Sequence, residues 1–313
     1  MGHKVKHLYN VDSMLKAANV AKTFDGAAGI LLPRQLEHIS TTIYEQKFAE
    51  LSFLSQSGIS INNEGGVAEF ITKLKKNIQG GYKTTGNNSN TAGKIGVSRS
   101  SDTIPVIMRK AESEWTQIEM QQAQLANADL VADLLGAHNT RYNQDIDASG
   151  YVGIDNYKGL LNNAGFTTTA SAGLFSALTG LQMYTELKDL INTQRAAVSN
   201  DPVFGADKVA LSPGVYNLID STYIDTTGEL ITVRMAVERN LNVQFVITFR
   251  ATSLGVAVAY SSDPRAMVMR IPTQLQISNI YEKGFDSYVE SLYRVGGLDV
   301  IESASGYILT GVE

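Results

Sequence analysis

Residues 62–110 read NNEGGVAEFITKLKKNIQGGYKTTGNNSNTAGKIGVSRSSDTIPVIMRK (Asn62 to Lys110), a polar stretch too long and too rich in glycine to be packed core. Its seven glycines and six asparagines concentrate between Gly80 and Gly96, the composition of a flexible tip. The flanks, residues 67–78 and 95–108, carry enough apolar and β-branched side chains to pair as a hairpin. Two arms of ~20 residues at ~3.3 Å each reach roughly 65 Å, beyond the body of one compact domain. A loop of this length without a function is uncommon; the bland alternative is a disordered insertion.

Charge sharpens the reading. The stretch holds Lys73, Lys75, Lys76, Lys83, Lys94, Arg99, Arg109 and Lys110 against Glu64, Glu69 and Asp102, a net of +5 in a chain whose total is −5. Residues 111–147 invert this, with Glu112, Glu114, Glu119, Asp129, Asp133, Asp145 and Asp147 against Arg141 alone, a net of −6. Trp115, Ile118, Leu125, Leu130, Val131, Leu134 and Leu135 make an apolar stripe there, so residues 111–149 read as one long acidic helix. A basic arm that cannot fold on itself, beside an acidic helix, suggests that each subunit's arm lies on a neighbour. The candidate interface residues are Lys73, Lys75, Lys76, Lys83, Lys94 and Arg99 on the arm, and Glu112, Glu114, Glu119, Asp129 and Asp133 opposite. The chain reads as a building block rather than a catalyst.

At 313 residues and 43% hydrophobic content it can bury a full core, as one large domain or two lobes. Zero cysteines exclude a disulfide framework and thiolate metal sites. The basic N-terminus runs into Leu8-Tyr9-Asn10-Val11-Asp12 instead of an apolar signal-peptide core, and no stretch approaches the ~20 apolar residues that span a bilayer. Neither secretion by the usual route nor a membrane location is expected. The mild acidity, pI near 5.5, argues against gripping nucleic acid over the whole surface. A shell that contains DNA without sticking to it would also be acidic or neutral.

Residues 1–32 read as an extended arm ending in Gly26-Ala27-Ala28-Gly29, and Pro33 opens a helix over 34–45. Phe53, Leu54, Ile59 and Ile61 lead irregularly into a strand. A second helix covers 174–198 and is stopped by Asp201-Pro202. Thereafter the texture is strand at 208–211, a Ser212-Pro213-Gly214 turn, helical turns over 215–220, and strands at 243–250, 255–260 and 267–271. The last 30 residues read as paired strands with a Gly296-Gly297 turn. Helices and strands come in blocks, which makes the class α+β.

This order of elements resembles the major capsid protein of tailed phages, the Hong Kong 97 type of shell fold, over nearly the whole chain. The most specific local matches are Lys208-Val-Ala-Leu-Ser-Pro213-Gly-Val-Tyr216-Asn-Leu218 and Arg294-Val-Gly296-Gly297-Leu-Asp-Val-Ile-Glu-Ser-Ala-Ser-Gly-Tyr-Ile. They are similar to the family's strand-proline-helix and its closing strand pair. The resemblance implies an N-terminal arm (1–32), a peripheral (P) domain from 33–61, the spine helix 111–149 and the C-terminal strands 266–313, an E-loop at 62–110, and an axial (A) domain at 150–265. It implies self-assembly into pentamers and hexamers of an icosahedral virion head, put together in the host cytoplasm around double-stranded DNA without sequence-specific binding. Some members carry a scaffolding domain ahead of the shell portion; about 32 residues before Pro33 are too few, so a separate scaffold protein, or completed processing, is expected, with portal and decoration proteins as further partners. Some members crosslink a loop lysine to a neighbour, for which Lys73, Lys75, Lys76, Lys83 and Lys94 are available; lysine on a solvated arm is the ordinary case. An encapsulin-like bacterial compartment is the alternative within the fold. A hydrolase or ligand-binding protein is the more distant one.

Among local motifs, Asp145-Ile-Asp147-Ala-Ser149-Gly150 matches the first half of a Ca²⁺ loop, but Asn156 stands where a bidentate carboxylate is required. The favoured reading is an Asp/Gly-rich turn closing the spine helix, and no cofactor is expected. Gly81-Tyr-Lys-Thr-Thr-Gly86 and Gly93-Lys94 lack the residues that a phosphate-binding loop needs. There is no G-x-S-x-G, and His138 near the helix end reads as a dipole partner rather than a base. Tyr82 is the one aromatic residue between Asn77 and Lys110, too few for stacking platforms on nucleic acid.

Overall fold

Residues 51–84, 92–126, 128–155, 157–224 and 231–313 are described by a computed structural model. Chain contacts separate a first unit, Met1–Phe48, from a second, Ala49–Glu313. The N-terminal arm expected over 1–32 and the helix expected over 34–45 lie outside the described residues, and every element below belongs to the second unit.

A helical turn, α1 (Phe53–Gln56), leads into β1 (Ser60–Asn62). The basic stretch then forms β2 (Phe70–Gly80) and β3 (Ile95–Pro105), followed by β4 (Ile107–Thr116), α2 (Gln117–Leu125) and α3 (Leu130–Tyr151). The middle of the chain supplies β5 (Thr167–Ala170), α4 (Gly180–Ala197), β6 (Lys208–Leu211), α5 (Pro213–Ser221), α6 (Val233–Leu241), β7 (Gln244–Ile247) and β8 (Val256–Tyr260). It closes with β9 (Met267–Arg270), β10 (Thr273–Ile277), β11 (Tyr281–Lys283), β12 (Asp286–Val295), β13 (Gly297–Val300) and β14 (Gly306–Thr310). The expected α+β class holds.

The five-stranded sheet β5-β14-β8-β6-β7 is the structural centre. It is covered on both faces, which is why residues 209–211 of β6 and all of β8 are continuous apolar runs instead of alternating ones. Val256, Val258 and Tyr260 enter one core with Ile146, Tyr151 and Phe53, while Ala257 and Ala259 enter a second with Met183, Leu187 and Ile191 of α4. Local chemistry sets the helix starts. Thr179 caps α4 in a reciprocal box with Gln182, and Ser212 caps α5 with Pro213 in its first turn, where the missing N–H costs nothing.

Where α3 ends, the chain is fastened back to α1. The Phe53 N–H donates to Asp147 Oδ1 at 3.1 Å, Ser52 Oγ and Tyr151 Oη lie 2.9 Å apart, and the Phe53 and Tyr151 rings meet edge-on at 5.1 Å. A Cβ at Gly150 would collide with the Phe53 ring, whereas one at Gly136, on the exposed part of the same helix, would meet nothing. Gly150→Ala should therefore destabilise the subunit by about 1–3 kcal/mol through overpacking. Gly136→Ala should stabilise it by roughly 0.5–1 kcal/mol. Urea unfolding of the two variants should shift the midpoint in opposite directions.

Several expectations are corrected. Residues 111–149 are not one helix: Ile107–Thr116 is a strand, paired antiparallel along its whole length with β12, and α3 begins only at Leu130. Ser113 and Trp115 point inward while Glu112 and Glu114 point out, a period-two pattern that the Trp115–Ile118 spacing disguised as helical. Asp145, Asp147 and Ser149 lie on α3 rather than in a loop or closing turn, so Asp147 faces the opposite side of the helix from Asp145 and Ser149. The turn follows at Gly153 and Asp155, both with φ in the left-handed region. The second helix starts at Gly180, after a 3₁₀ turn at Phe175–Ala177. The strands of the last 30 residues are not paired with one another; β12, β13 and β14 join three different sheets, and β14 completes the central one. α6 and strands β5, β10 and β11 were not anticipated.

Candidate assembly surfaces

The arm is a two-stranded ribbon, β2 against β3, in unbroken register from Phe70 opposite Pro105 to Gly80 opposite Ile95. Eleven paired residues per strand rise about 36 Å, roughly half the expected reach. Its root is clamped. Lys73 Nζ donates to Asp299 Oδ1 of β13, and Arg270 of β9 reaches Asp299 Oδ2 through Nε at 3.3 Å and Nη2 at 3.2 Å. Asp299 is buried, and Glu64 balances Arg270 at the solvent rim at 3.4 Å. Lys73 is thus engaged within its own subunit.

Beyond the root the two faces of the ribbon differ. On one, Lys75 pairs with Asp102 at 2.7 Å; their hydrogen bond raises the lysine pKa and holds the carboxylate below its usual range. On the other, alternation aligns Phe70, Leu74, Ile78, Val97 and Ile95, all exposed, Leu74 at 79%. Lys76 and Arg99 stand directly opposite one another in the middle of this apolar face. Among the described residues neither enters an ion pair. Lys83 and Lys94 flank the tip and are exposed.

The five acids divide by task. Glu119 closes a reciprocal cap with Thr116 at the start of α2, and Asp129 caps α3 by accepting from the Ala132 N–H at 3.1 Å, with Asp133 in the first turn where the helix dipole favours an anion. Glu112 and Glu114 lie instead on the outer face of the sheet formed by β4, β12, β10 and β11. There the pairing of β4 with β12 sets Glu112 directly opposite Glu290 and Glu114 opposite Tyr288. Tyr288 Oη donates to Glu114 and Tyr281 Oη to Glu290, each at 3.0 Å, and the two rings stack at 5.5 Å. The hydrogen bond to Glu114 is the main cause that pushes the Tyr288 phenol up to about 12. Glu290, Tyr281 and Tyr288 were not singled out from sequence, although alternation along 288–294 was the available signal.

The remaining candidates have structural partners. Asp145 takes Arg109 at 3.2 Å and Tyr293 at 3.0 Å; Asp147 takes Arg250 at 2.5 Å; Ser149 Oγ donates to the Asp145 carbonyl. His138 is buried in mid-helix and bridges Ser113 Oγ at 2.9 Å and Ser291 Oγ at 2.7 Å, pinning α3 to the sheet instead of serving a helix end. Beside it lies a cavity of about 320 Å³, bordered by Arg109, Tyr142, Asp145 and Tyr293, in which the Asp145 carboxylate is already held by protein groups.

A family model described as major capsid protein matches residues 80–312. The chain belongs to the major capsid protein family. Among solved structures, this capsid protein is similar to the capsid of Myoviridae phage XM1, with 42% identity and a TM-score of 0.84 over 91% of this chain and 99% of that one. The capsid of a native GTA particle matches at 13% identity and TM-score 0.63, over 92% and 98% of the two chains. The mature capsid of bacteriophage PhiM1 matches at 12% and 0.60, over 88% and 91%; these two show the fold alone. No curated protein sequence matches. The family match starts at Gly80, so the tip, β3 and everything from β4 to β14 fall inside it while β2 and the root glutamate precede it. Among the described residues of the capsid protein, no helix is long and apolar enough to cross a membrane.

Proposed function

We propose that the capsid protein assembles into pentamers and hexamers that close an icosahedral phage head around double-stranded DNA, with each arm laid across a neighbouring subunit. The carrying observation is the ribbon itself. Eleven residue pairs stand out from the body with an apolar face at half to four-fifths exposure, an arrangement that costs free energy in a lone subunit and is repaid when a neighbour covers it. In this reading the arm is the E-loop, α3 is the spine of the peripheral domain, and the central sheet with α4–α6 is the axial domain. Since β14 belongs to that sheet, the axial domain also takes in residues 306–310. The work is geometric and involves no catalysis: the polar groups of the cavity beside α3 hold the subunit together. A separate scaffold protein, a portal and decoration proteins complete the head in the host cytoplasm. The 42% identity to a phage capsid favours a head over a cargo compartment.

Negative-stain electron microscopy with light scattering, on the protein alone and co-expressed with candidate scaffolds, tests this. Closed particles, tubes or free hexamers and pentamers are expected. A uniform monomer under every co-expression condition would overturn the reading.

A further inference from the structure

Two like-charge pairs face solvent in this subunit, and they mirror one another. On the ribbon, Lys76 of β2 and Arg99 of β3 are directly opposite. On the outer face of the four-stranded sheet, Glu112 of β4 and Glu290 of β12 are directly opposite. Side chains in such positions have Cβ atoms roughly 4.5–5.5 Å apart, and like charges there repel. Neither pair is relieved by an opposite charge within its own subunit among the described ion pairs.

The surroundings match as well. The cations are flanked by Leu74 on the root side and by Ile78 and Val97 on the tip side, all exposed. The carboxylates are flanked by Leu292 and the exposed Lys110 on one side and by the stacked Tyr281 and Tyr288 on the other, with Glu114 adding a third negative charge that offsets Lys110. Both surfaces are faces of antiparallel sheet, so the spacing between successive outward rows is the same, about 6.6–6.8 Å along each strand.

We propose that the Lys76–Arg99 pair of one subunit seats on the Glu112–Glu290 pair of a second copy, with Ile78 and Val97 covering the Tyr281–Tyr288 stack. This rests on the shell reading above and deepens it, by naming which face of the arm docks and on which strands. Two cations meet two carboxylates at equal spacing. Each surface removes the repulsion in the other, and the apolar flanks exclude water from the contact. Lys75 and Asp102, on the opposite face, neutralise one another and take no part. The pairing also accounts for why Glu119, Asp129 and Asp133 need not be the arm's targets: two of them are committed to helix caps.

Charge reversal tests the pairing. Lys76→Glu with Arg99→Glu, and separately Glu112→Lys with Glu290→Lys, should each lower the yield of closed particles at least tenfold under conditions where the unaltered protein assembles. All four changes in one chain should restore particles to within a few-fold of the starting yield. All these positions are on strand surfaces, so circular dichroism and urea midpoints of the subunits should be little changed. A quadruple variant no better than either double would overturn the pairing, while particles from the unaltered protein in the same series would leave the shell reading intact. The absence of cysteine supplies a second readout. Arg99→Cys with Glu290→Cys in one chain should give a ladder of disulfide-linked multimers on oxidation of the particles. Ser100→Cys with Glu290→Cys, which moves the thiol to the other face of the ribbon, should give none; equal ladders from both would refute the face assignment.

Discussion

Asp299→Ala should destabilise the subunit by about 3–5 kcal/mol, the usual cost of removing one partner from a buried ion pair. The carboxylate is almost wholly buried and receives Lys73 from the arm and two nitrogens of Arg270 from β9. Its loss strands two cations: among the described ion pairs Arg270 keeps only Glu64, a largely exposed rim residue at 3.4 Å, and Lys73 keeps none. Lys73→Met should behave quite differently. It leaves Asp299 with both Arg270 contacts, so about 1 kcal/mol is at stake, comparable to an ordinary hydrogen bond. Urea unfolding of unassembled subunits reads the difference. Equal losses from the two substitutions would mean that the cluster is not organised around Asp299. Amide exchange should show the same asymmetry locally, with Ile71 to Lys73 losing protection in both variants but the β9–β13 pairing weakening only without Asp299.

The parts of this fold legible in sequence were those written locally. Ser212-Pro213 announces a capped helix, and the apolar flanks of a glycine-rich tip announce a ribbon, because caps and turns depend on residues a few positions apart. Strand partners do not. β14 lies between β8 and β5, and β12 between β4 and β10, neighbours that no periodicity specifies. The same limit governed the surfaces. Lys73 looked like one more basic arm residue because its partner is 226 residues away, and Glu112 looked helical because its opposite number, Glu290, belongs to a strand closed much later in the chain. Net charge over a window marks a region and no more. Which of its charges are satisfied within the subunit depends on long-range pairing.

That distinction decides what shortening the arm should do. Replacing residues 80–96 by Asn-Gly would leave Ile78 opposite Val97 across a three-residue loop of a type that hairpins tolerate. The clamp at Lys73 and every core contact would remain, since the removed residues that are described contribute no buried side chain. Subunit stability should therefore change by no more than about 0.5 kcal/mol, as for surface changes in general. Assembly should suffer far more. A contact weakened by only ~1.4 kcal/mol lowers its equilibrium constant tenfold, and the same loss recurs at every subunit added, so closed particles should fall below detection while soluble subunits accumulate. The shortened arm keeps Lys76, Arg99, Leu74, Ile78 and Val97, which separates two contributions. Particles that disappear with the tip but return when it is restored would show that the arm needs its full reach to span a neighbour. Normal particles from the shortened chain would remove the tip from the assembly mechanism and leave the paired strands to carry the contact alone.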